Sequence, residues 1–551
     1  MNLTVAYFTM EVGLRSEMPT YAGGLGMLAA DILRSCADLK VAAAGVSVAW
    51  QHGYLHQHIN ADGSQVYEGI NWRKADYLKR LPATVTVQIE GRSVRVGCWV
   101  EELRSGDHVV PVYFLDTDLP ENEPQDRLIT EQLYGGDNTM RLKQEIILGI
   151  GGVRMLRVLG HKDIGTFHMN EGHAAFLTLE LLRERDFQDD DVRPSCAFTT
   201  HTPVAAGHDV FPYDLAWRIA GDQLPWHIKR IAGEDALSMT HLALNMSHYT
   251  CGVSQVHGEV SRRLFPSYRI DAITNGVHHL TWTSPEIQAL LDTHIPQWRE
   301  QPELLAEHCR SLPDDMLWSA HAGAKKRLID HINTNSPVTF RPDVLTIATA
   351  RRVVPYKRPE LLYTNLERLR EVGCGHIQIV HAGNAHPNDP FSQGVIQRMV
   401  ERSRELRDVI HIVYLPNYNP DLARLLTAGA DVWLNTPVRL HEASGTSGMK
   451  ASLNGVPNLS TLDGWWIEGY GRDYESGWRI GPLAPAVSSV TEHVKLDAED
   501  LYTQLQYEVI PEYYYADRKR WLRRMKRAIG LLGYFNTHRA VREYLVRAWR
   551  A

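Results

Sequence analysis

Strand-length apolar runs recur along the first half of the chain, at residues 3–8, 43–49, 110–115, 165–168, 196–199 and 249–253. Helix-length segments, such as 141–159 and 174–183, separate several of them. That alternation predicts a largely parallel α/β sheet. The turn Gly23-Gly24-Leu25-Gly26 follows the first strand and opens a helical run over 27–39. Residues 67–99 break the scheme: Thr84-Val85-Thr86-Val87-Gln88-Ile89 alternates ahead of Glu90-Gly91, which predicts an antiparallel insertion. The second half repeats the first, with strands expected at 344–348, 377–382, 410–415 and 432–434 and helices between them. Residues 282–342 read as helical and linking, which sets a domain boundary near residue 280. The basic segment 518–550 interleaves arginine and lysine with Trp521, Leu522, Met525 and Ile529, the pattern of an amphipathic helix packed on the body. The predicted fold class is α/β, two parallel-sheet domains facing one another.

Composition narrows this picture. At 551 residues the chain is too long for one hydrophobic core. Its 44% hydrophobic and 22% charged residues are a soluble globular mix that disfavours disorder. The longest apolar run, 41–50, is half of the roughly 20 residues a membrane helix needs, so no membrane partner is expected. A formal net charge of −7 argues against general nucleic-acid binding. Met1-Asn2-Leu3-Thr4 lacks the basic and apolar segments of a secretory leader, and the six cysteines lie far apart with no CxxC pair. Both features predict a cytoplasmic protein with reduced thiols. The oligomeric state is open, a homo-oligomer included.

The most informative stretch is Glu442-Ala443-Ser444-Gly445-Thr446-Ser447-Gly448-Met449-Lys450, which follows an expected strand and leads into an expected helix. Small residues there leave backbone N–H groups open to a phosphate. A lysine one turn inside can form an imine with a phosphorylated aldehyde cofactor. A second cluster, Arg351-Arg352-Val353-Val354-Pro355-Tyr356-Lys357-Arg358, follows another strand and could hold a dianion by charge and by guanidinium forks. Gly24 to Ala29 also fits Gly-x-Gly-x-x-Ala, but it lies well past the first strand, which rejects a dinucleotide loop. Of the 26 histidines, His168 and His173 are five apart, the wrong spacing for one helix face, so no metal site is expected.

The stretch Glu442 to Lys450, continuing through Asn454-Gly455 to Thr461-Leu462-Asp463-Gly464, resembles the pyridoxal-phosphate motif of the glycogen/α-glucan (maltodextrin) phosphorylases. Gly-Thr-Ser-Gly-Met-Lys with Asp463-Gly464-Trp465-Trp466 is similar to the short bacterial and archaeal branch, where animal muscle enzymes usually read Gly-Thr-Gly-Asn-Met-Lys. The resemblance runs nearly end to end. It implies a GT-B-like fold of two Rossmann-like domains across a cleft, with a glucan side at 1–280 and a pyridoxal 5'-phosphate and phosphate side at 281–551. It also implies that Lys450 carries the cofactor, with Thr446, Ser447, Gly448, Arg351, Lys357, Trp282 and Gly24 around it. By the same likeness Arg352 meets the substrate phosphate, Tyr356 is a neighbouring substrate contact, and Glu442, Ser444 and Gly445 face the substrate. Gly23, Gly24 and Leu25 match a loop whose backbone approaches phosphate and sugar. Tyr134, Asp137 and Asn138 match an Asp-Asn active-site loop, with Glu11 an acidic residue behind it. His173 closes a stretch in which Glu171 replaces the usual aspartate. His201 matches a histidine that meets the glucosyl unit, and Asn275 a sugar-binding asparagine.

The implied reaction is reversible phosphorolysis of an α-1,4-glucan end by inorganic phosphate to α-glucose 1-phosphate, with retention. No carboxylate pair is needed, and the sequence offers no glycosidase dyad. Two alternatives stand beside it: a GT-B glycosyltransferase using a nucleotide sugar, which would have no reason to keep Lys450 in this loop, and a non-catalytic glucan-binding relative, which would be expected to lose part of the cation set.

Overall fold

The computed structural model describes residues 3–53, 55–483, 490–516 and 518–549, without the side chains of 490–492. The chain forms two compact units, Met1–Leu55 with Gly69–Thr274 and Thr537–Ala551, and His56–Glu68 with Asn275–Asn536. The division is therefore not one cut near residue 280. A short segment of the first half joins the second unit, and the chain's end joins the first.

In the first unit the central strand Val5–Phe8 lies between Ala43–Val48 and Thr166–Asn170, parallel to both. Cys196–Thr199, Tyr249–Gly252 and Asp271–Ala272 extend the sheet in parallel beyond Thr166–Asn170. His108–Asp116 does so beyond Ala43–Val48. Every residue of Val5–Phe8 and of Ala43–Val48 is buried, as expected for strands covered on both faces. The residues expected as an insertion instead continue this sheet: Arg92–Ser105 pairs antiparallel with His108–Asp116, and Lys79–Ile89 with Arg92–Ser105. Their alternating pattern gives Val85, Val87, Ile89, Val94 and Val96 one apolar face, which joins the main core. The helix Gly24–Asp38 packs on the other face, against Gly45, where a Cβ would stand 2.8 Å from Leu33 Cδ1.

The second unit holds a six-stranded sheet, all parallel. Its order is His411–Leu415, Ile377–Ala382, Leu345–Ala350, Val432–Asn435, Asn458–Thr461, Gly477–Ile480. Numbered in chain order this is 3-2-1-4-5-6, the dinucleotide-fold order, with its switch point between Leu345–Ala350 and Val432–Asn435. The parallel part of the first sheet follows the same rule, with its switch point between Val5–Phe8 and Thr166–Asn170. The hairpin of Leu55–Ile59 and Gln65–Gly69 falls mostly in the second unit, where the Asn417 side chain accepts from Gln57 N–H at 2.6 Å and Gln65 donates to Gln393 O at 2.9 Å.

The expected terminal helix is two helices. Arg518–Leu531 stays in the second unit, buried on Trp521, Leu522, Met525 and Ile529. Thr537–Arg547 returns to the first, where Ser35 and Thr537 share a 2.6 Å hydroxyl contact and Trp549 donates to His168 Nδ1 at 2.8 Å. Among the described residues no helix is long and apolar enough to cross a membrane; the run 41–50 is largely the buried strand Ala43–Val48.

Candidate active site

Both switch points collect polar side chains where parallel strands end, each within its own unit. In the first unit the chain leaves Val5–Phe8 through Thr9-Met10-Glu11, leaves Thr166–Asn170 into Glu171, and leaves Cys196–Thr199 into Thr200-His201. Asn170 Oδ1 and His201 Nε2 are 2.6 Å apart, and Asn170 donates to Thr9 Oγ1 at 3.1 Å. Glu171, at φ +86°, accepts from His201 N–H at 2.7 Å and from the Thr202 hydroxyl at 2.9 Å. Burial and the neighbouring His257, His173 and His168 push His201 well below the usual histidine range, so its ring is neutral. Its short contact with the Asn170 oxygen requires a proton on Nε2.

Glu11 is almost fully buried and holds the glycine loop. Its Oε2 accepts from Ala22 N–H at 2.8 Å and Gly23 N–H at 3.0 Å, and its Oε1 takes the Tyr134 hydroxyl at 2.8 Å. A Cβ at Gly26 would sit 2.8 Å from Glu11 Oε2, so only glycine lets the carboxylate reach the loop. Gly24 and Leu25 begin the helix Gly24–Asp38. Asp137 caps the helix Asn138–Ile146 by accepting from Met140 N–H at 3.0 Å, and Asp137 and Asn138 are exposed. His173 is buried and accepts from Met10 N–H at 3.1 Å; burial pushes its pKa down to about 3. His168 serves the core, between the Thr199 hydroxyl and the Trp549 indole.

In the second unit Arg351 and Arg352 follow Leu345–Ala350. Arg351 bonds the side chain of Asn435, at the end of Val432–Asn435, and donates to Leu434 O at 3.2 Å. Arg352 is exposed. The turn Pro355–Lys357 brings Lys357 Nζ to 2.6 Å from Glu442 Oε2 and 5.1 Å from the Tyr356 ring centre. Burial opposes the lysine's charge, but Glu442 outweighs it and holds the Lys357 pKa above the ordinary value. Val438 N–H donates to Tyr356 O at 2.6 Å, which ties the cation turn to the loop carrying Glu442.

The loop then runs through Ser444 and Gly445 (φ +71°) to the helix Ser447–Leu453, which starts at Thr446 with no side-chain cap. A Cβ at Gly445 would lie 3.7 Å from the Glu442 side chain. Ser447 Oγ accepts from the Trp433 indole at 3.3 Å. At Gly448 a Cβ would lie 2.3 Å from Asn458 Oδ1 and 3.2 Å from Asn435 Nδ2, so the bound partner of Arg351 also borders the helix start. Lys450 is 6% exposed, with Nζ 3.5 Å from the centre of the Trp282 ring. Asn454 braces that pair, donating to Trp282 O at 2.8 Å and Lys450 O at 2.9 Å and accepting from Ser284 N–H at 2.7 Å. Asn275 is buried in this unit, beside Gly276 packed on Asn536. A buried amine on an aromatic face, uncapped first-turn N–H groups and partly buried cations at the adjacent strand end are a donor set that fits pyridoxal phosphate.

Residue-type reasoning did not single out Thr9, Asn170, Asn435, Asn454 or Asp463 for a role. The signal for each is position: they follow or end a strand, or lie one helical turn after Lys450.

Open parallel sheets with acids, neutral imidazoles and cations gathered at the carboxyl ends of their strands define an α/β enzyme. Residues 15–146 and 209–472 match the carbohydrate phosphorylase family. The chain is 37% identical to a maltodextrin phosphorylase of Thermococcus litoralis, over 98% of its own length and 70% of the relative's. It is 36% identical to a glycogen phosphorylase of Mycobacterium tuberculosis over the same shares, and 33% identical to one of Aquifex aeolicus over 98% and 85%. The chain belongs to the carbohydrate phosphorylase family, a glycosyltransferase family of GT-B-like fold.

Proposed function

We propose that this enzyme is an α-glucan phosphorylase, transferring the terminal α-1,4-linked glucose of a glycogen- or maltodextrin-like chain to inorganic phosphate. The bond from C1 to the departing O4 breaks, a bond from C1 to a phosphate oxygen forms with retention, and the phosphate proton goes to O4. The observation that carries the reading is Lys450, buried with its amine on the Trp282 face behind the Gly445-to-Gly448 loop. Lys450 would hold pyridoxal 5'-phosphate, with the Thr446–Gly448 backbone, Arg351 and Lys357 on its phosphate. When bound, that group supplies a phosphate able to exchange a proton with the substrate phosphate.

The chain's own residues then do the positioning. Arg352, a permanently charged planar donor, is suited to the mobile phosphate. Without such cations two phosphates about 5 Å apart repel by roughly 3 kcal/mol per unit-charge pair at an effective dielectric of 20. In the second unit Glu442, fixed by Lys357, and Asn275 have the chemistry for directional hydrogen bonds to sugar hydroxyls. In the first unit His201, neutral and braced by Asn170 and Glu171, has the same chemistry, as do Asn138 and the Gly23–Leu25 backbone.

Two assays test the reading. Borohydride treatment should fix the cofactor to the peptide holding Lys450. Maltodextrin with phosphate should release glucose 1-phosphate. Chain extension from UDP- or ADP-glucose, with no phosphorolysis, would overturn it.

A further inference from the structure

Asp463 follows the strand Asn458–Thr461 and is 3% exposed. Among the described residues no cation pairs with it; backbone N–H groups do. Its Oδ1 accepts from Leu440 at 3.0 Å and Gly464 at 2.9 Å, and its Oδ2 from Glu442 at 2.8 Å. Two residues further on, Trp465 N–H donates to Ser444 O at 2.9 Å. Gly464, at φ +52°, allows that approach, since a Cβ there would stand 2.2 Å from the same oxygen. Residues 463–465 thus grip 440–444 through three cross-links.

The grip is needed because the loop has little else at this point. Leu440 is 40% exposed and His441 is exposed, so apolar burial does not anchor them. Leu440 also has φ +68°, a left-handed conformation that a leucine holds only under constraint. Burial and the Glu442 charge push the Asp463 carboxyl up to about 7, against the lowering effect of the three N–H groups. An acid kept in so unfavourable a place is fixed by what it organises, here the backbone on both sides of His441.

We propose that Asp463 is a positioning residue of the reaction: by accepting the N–H groups of Leu440 and Glu442 it fixes the loop so that the Glu442 carboxylate stays on Lys357 and faces the sugar. This rests on the phosphorolysis reading, in which Glu442 meets substrate. An amide in its place has one acceptor oxygen and turns an NH2 toward a backbone donor.

The test uses the full-length enzyme with its cofactor, as wild type, Asp463→Asn, Glu442→Gln and the double variant. Wild-type phosphorolysis is measured first; an inactive wild type would defeat the phosphorolysis reading, not the clamp. With an active wild type, Asp463→Asn should lower kcat by about 30-fold, leave KM for maltodextrin within about threefold, and keep cofactor absorbance per chain near wild type. In the Glu442→Gln background the same change should cost less than about threefold, because residues acting through one another are not additive. Equal losses in both backgrounds, or Asp463→Asn activity within about threefold of wild type, would overturn the proposal. Should Asp463→Asn fail to fold, amide exchange in the wild type decides: slow exchange at Leu440 and Glu442 supports the clamp, and fast exchange at both overturns it.

Discussion

Gly448, on the helix that carries Lys450, has little room for a side chain, which makes Gly448→Ala a sharp perturbation. The new Cβ would lie 2.3 Å from Asn458 Oδ1, 3.0 Å from Trp465 Cζ2 and 3.2 Å from Asn435 Nδ2. None of these can easily retreat. Asn458 is fully buried and donates to Gly448 O at 3.1 Å and Ser452 Oγ at 2.9 Å, so moving its amide breaks both bonds. Trp465 is wedged between Trp466 and Phe535, with ring centres 5.2 and 4.9 Å away. Overpacking costs about 1–3 kcal/mol, and stranding a buried amide a similar amount. The structure takes the cheaper mixture, so a loss of about 3 kcal/mol is expected, or roughly 5–10 °C in the melting of this unit. Gly448 precedes Lys450 by two residues on the same short helix, so the shift also carries the amine off the Trp282 face. Thermal melting and cofactor absorbance per chain should both fall. Gly471→Ala is the control: nothing lies within 4 Å of its Cβ position, and it should melt like the wild type. A Gly448→Ala protein with wild-type melting and full cofactor content would refute the steric argument.

Glu442→Gln removes the charge 2.6 Å from Lys357 but keeps an acceptor, so the protein should stay folded and hold cofactor while turnover falls about 100-fold; activity near wild type would remove Glu442 from the site. Arg352→Ala alters an exposed side chain, so stability should move by less than about 0.5 kcal/mol while KM for phosphate and for glucose 1-phosphate rises and kcat falls, read by steady-state kinetics in both directions. Lys357→Ala instead leaves the mostly buried Glu442 without its cation, and should cost about 1–3 kcal/mol and weaken cofactor retention in dialysis. Burial pushes the pKa of His168, His173 and His381 down to about 3 and that of His257 to about 4. Folded, they are neutral; unfolded, they take protons near pH 6.5, so stability is lost as pH falls below that value, and the melting temperature should drop between pH 7 and pH 5. A flat profile there would contradict the burial.

The apolar runs located the central strands of both sheets, because strands covered on both faces must be apolar. The edge-side strands Asn458–Thr461 and Gly477–Ile480 escaped that reading, although the first is wholly buried. Asn458 is a buried polar residue whose amide bonds are made across to the helix Ser447–Leu453, a satisfaction visible only in three dimensions. The basic terminal segment read as one helix because its pattern is amphipathic on either side of Tyr534-Phe535-Asn536, yet its two faces belong to different cores. Lys450 and Trp282 were legible as family positions, but their contact was not, since 168 residues separate them. The motif around Asp463 was plain in the sequence, and its use was not: a carboxylate that binds backbone leaves no mark on the residues it holds.

The chemistry also divides by charge. The first unit gathers groups that bond without net charge, namely neutral His201 and His173, Asn170, Thr9 and the glycine loop backbone, while its nearby cation Arg141 is spent on Glu145 and Asp209. Its carboxylates Glu11 and Glu171 are spent on backbone N–H groups and hydroxyls of the same unit. The second unit holds Arg351, Arg352, Lys357 and Lys450 at its strand ends and helix start, with Glu442 paired to Lys357 and Asp463 spent on backbone N–H groups. A sugar is recognised by many directional, uncharged hydrogen bonds, and a buried cation aimed at it would bring a desolvation cost with no matching gain. Phosphate calls for the reverse, fixed positive charge in a partly dry site. On the phosphorolysis reading this division is the expected one. Moving a charge from one set to the other should therefore harm function more than removing it: Asn170→Asp, which sets a carboxylate against neutral His201, should raise that imidazole's pKa and cut turnover below that of Asn170→Ala. A pH–rate profile of the two variants decides the point, and equal profiles would show that charge at this strand end does not matter.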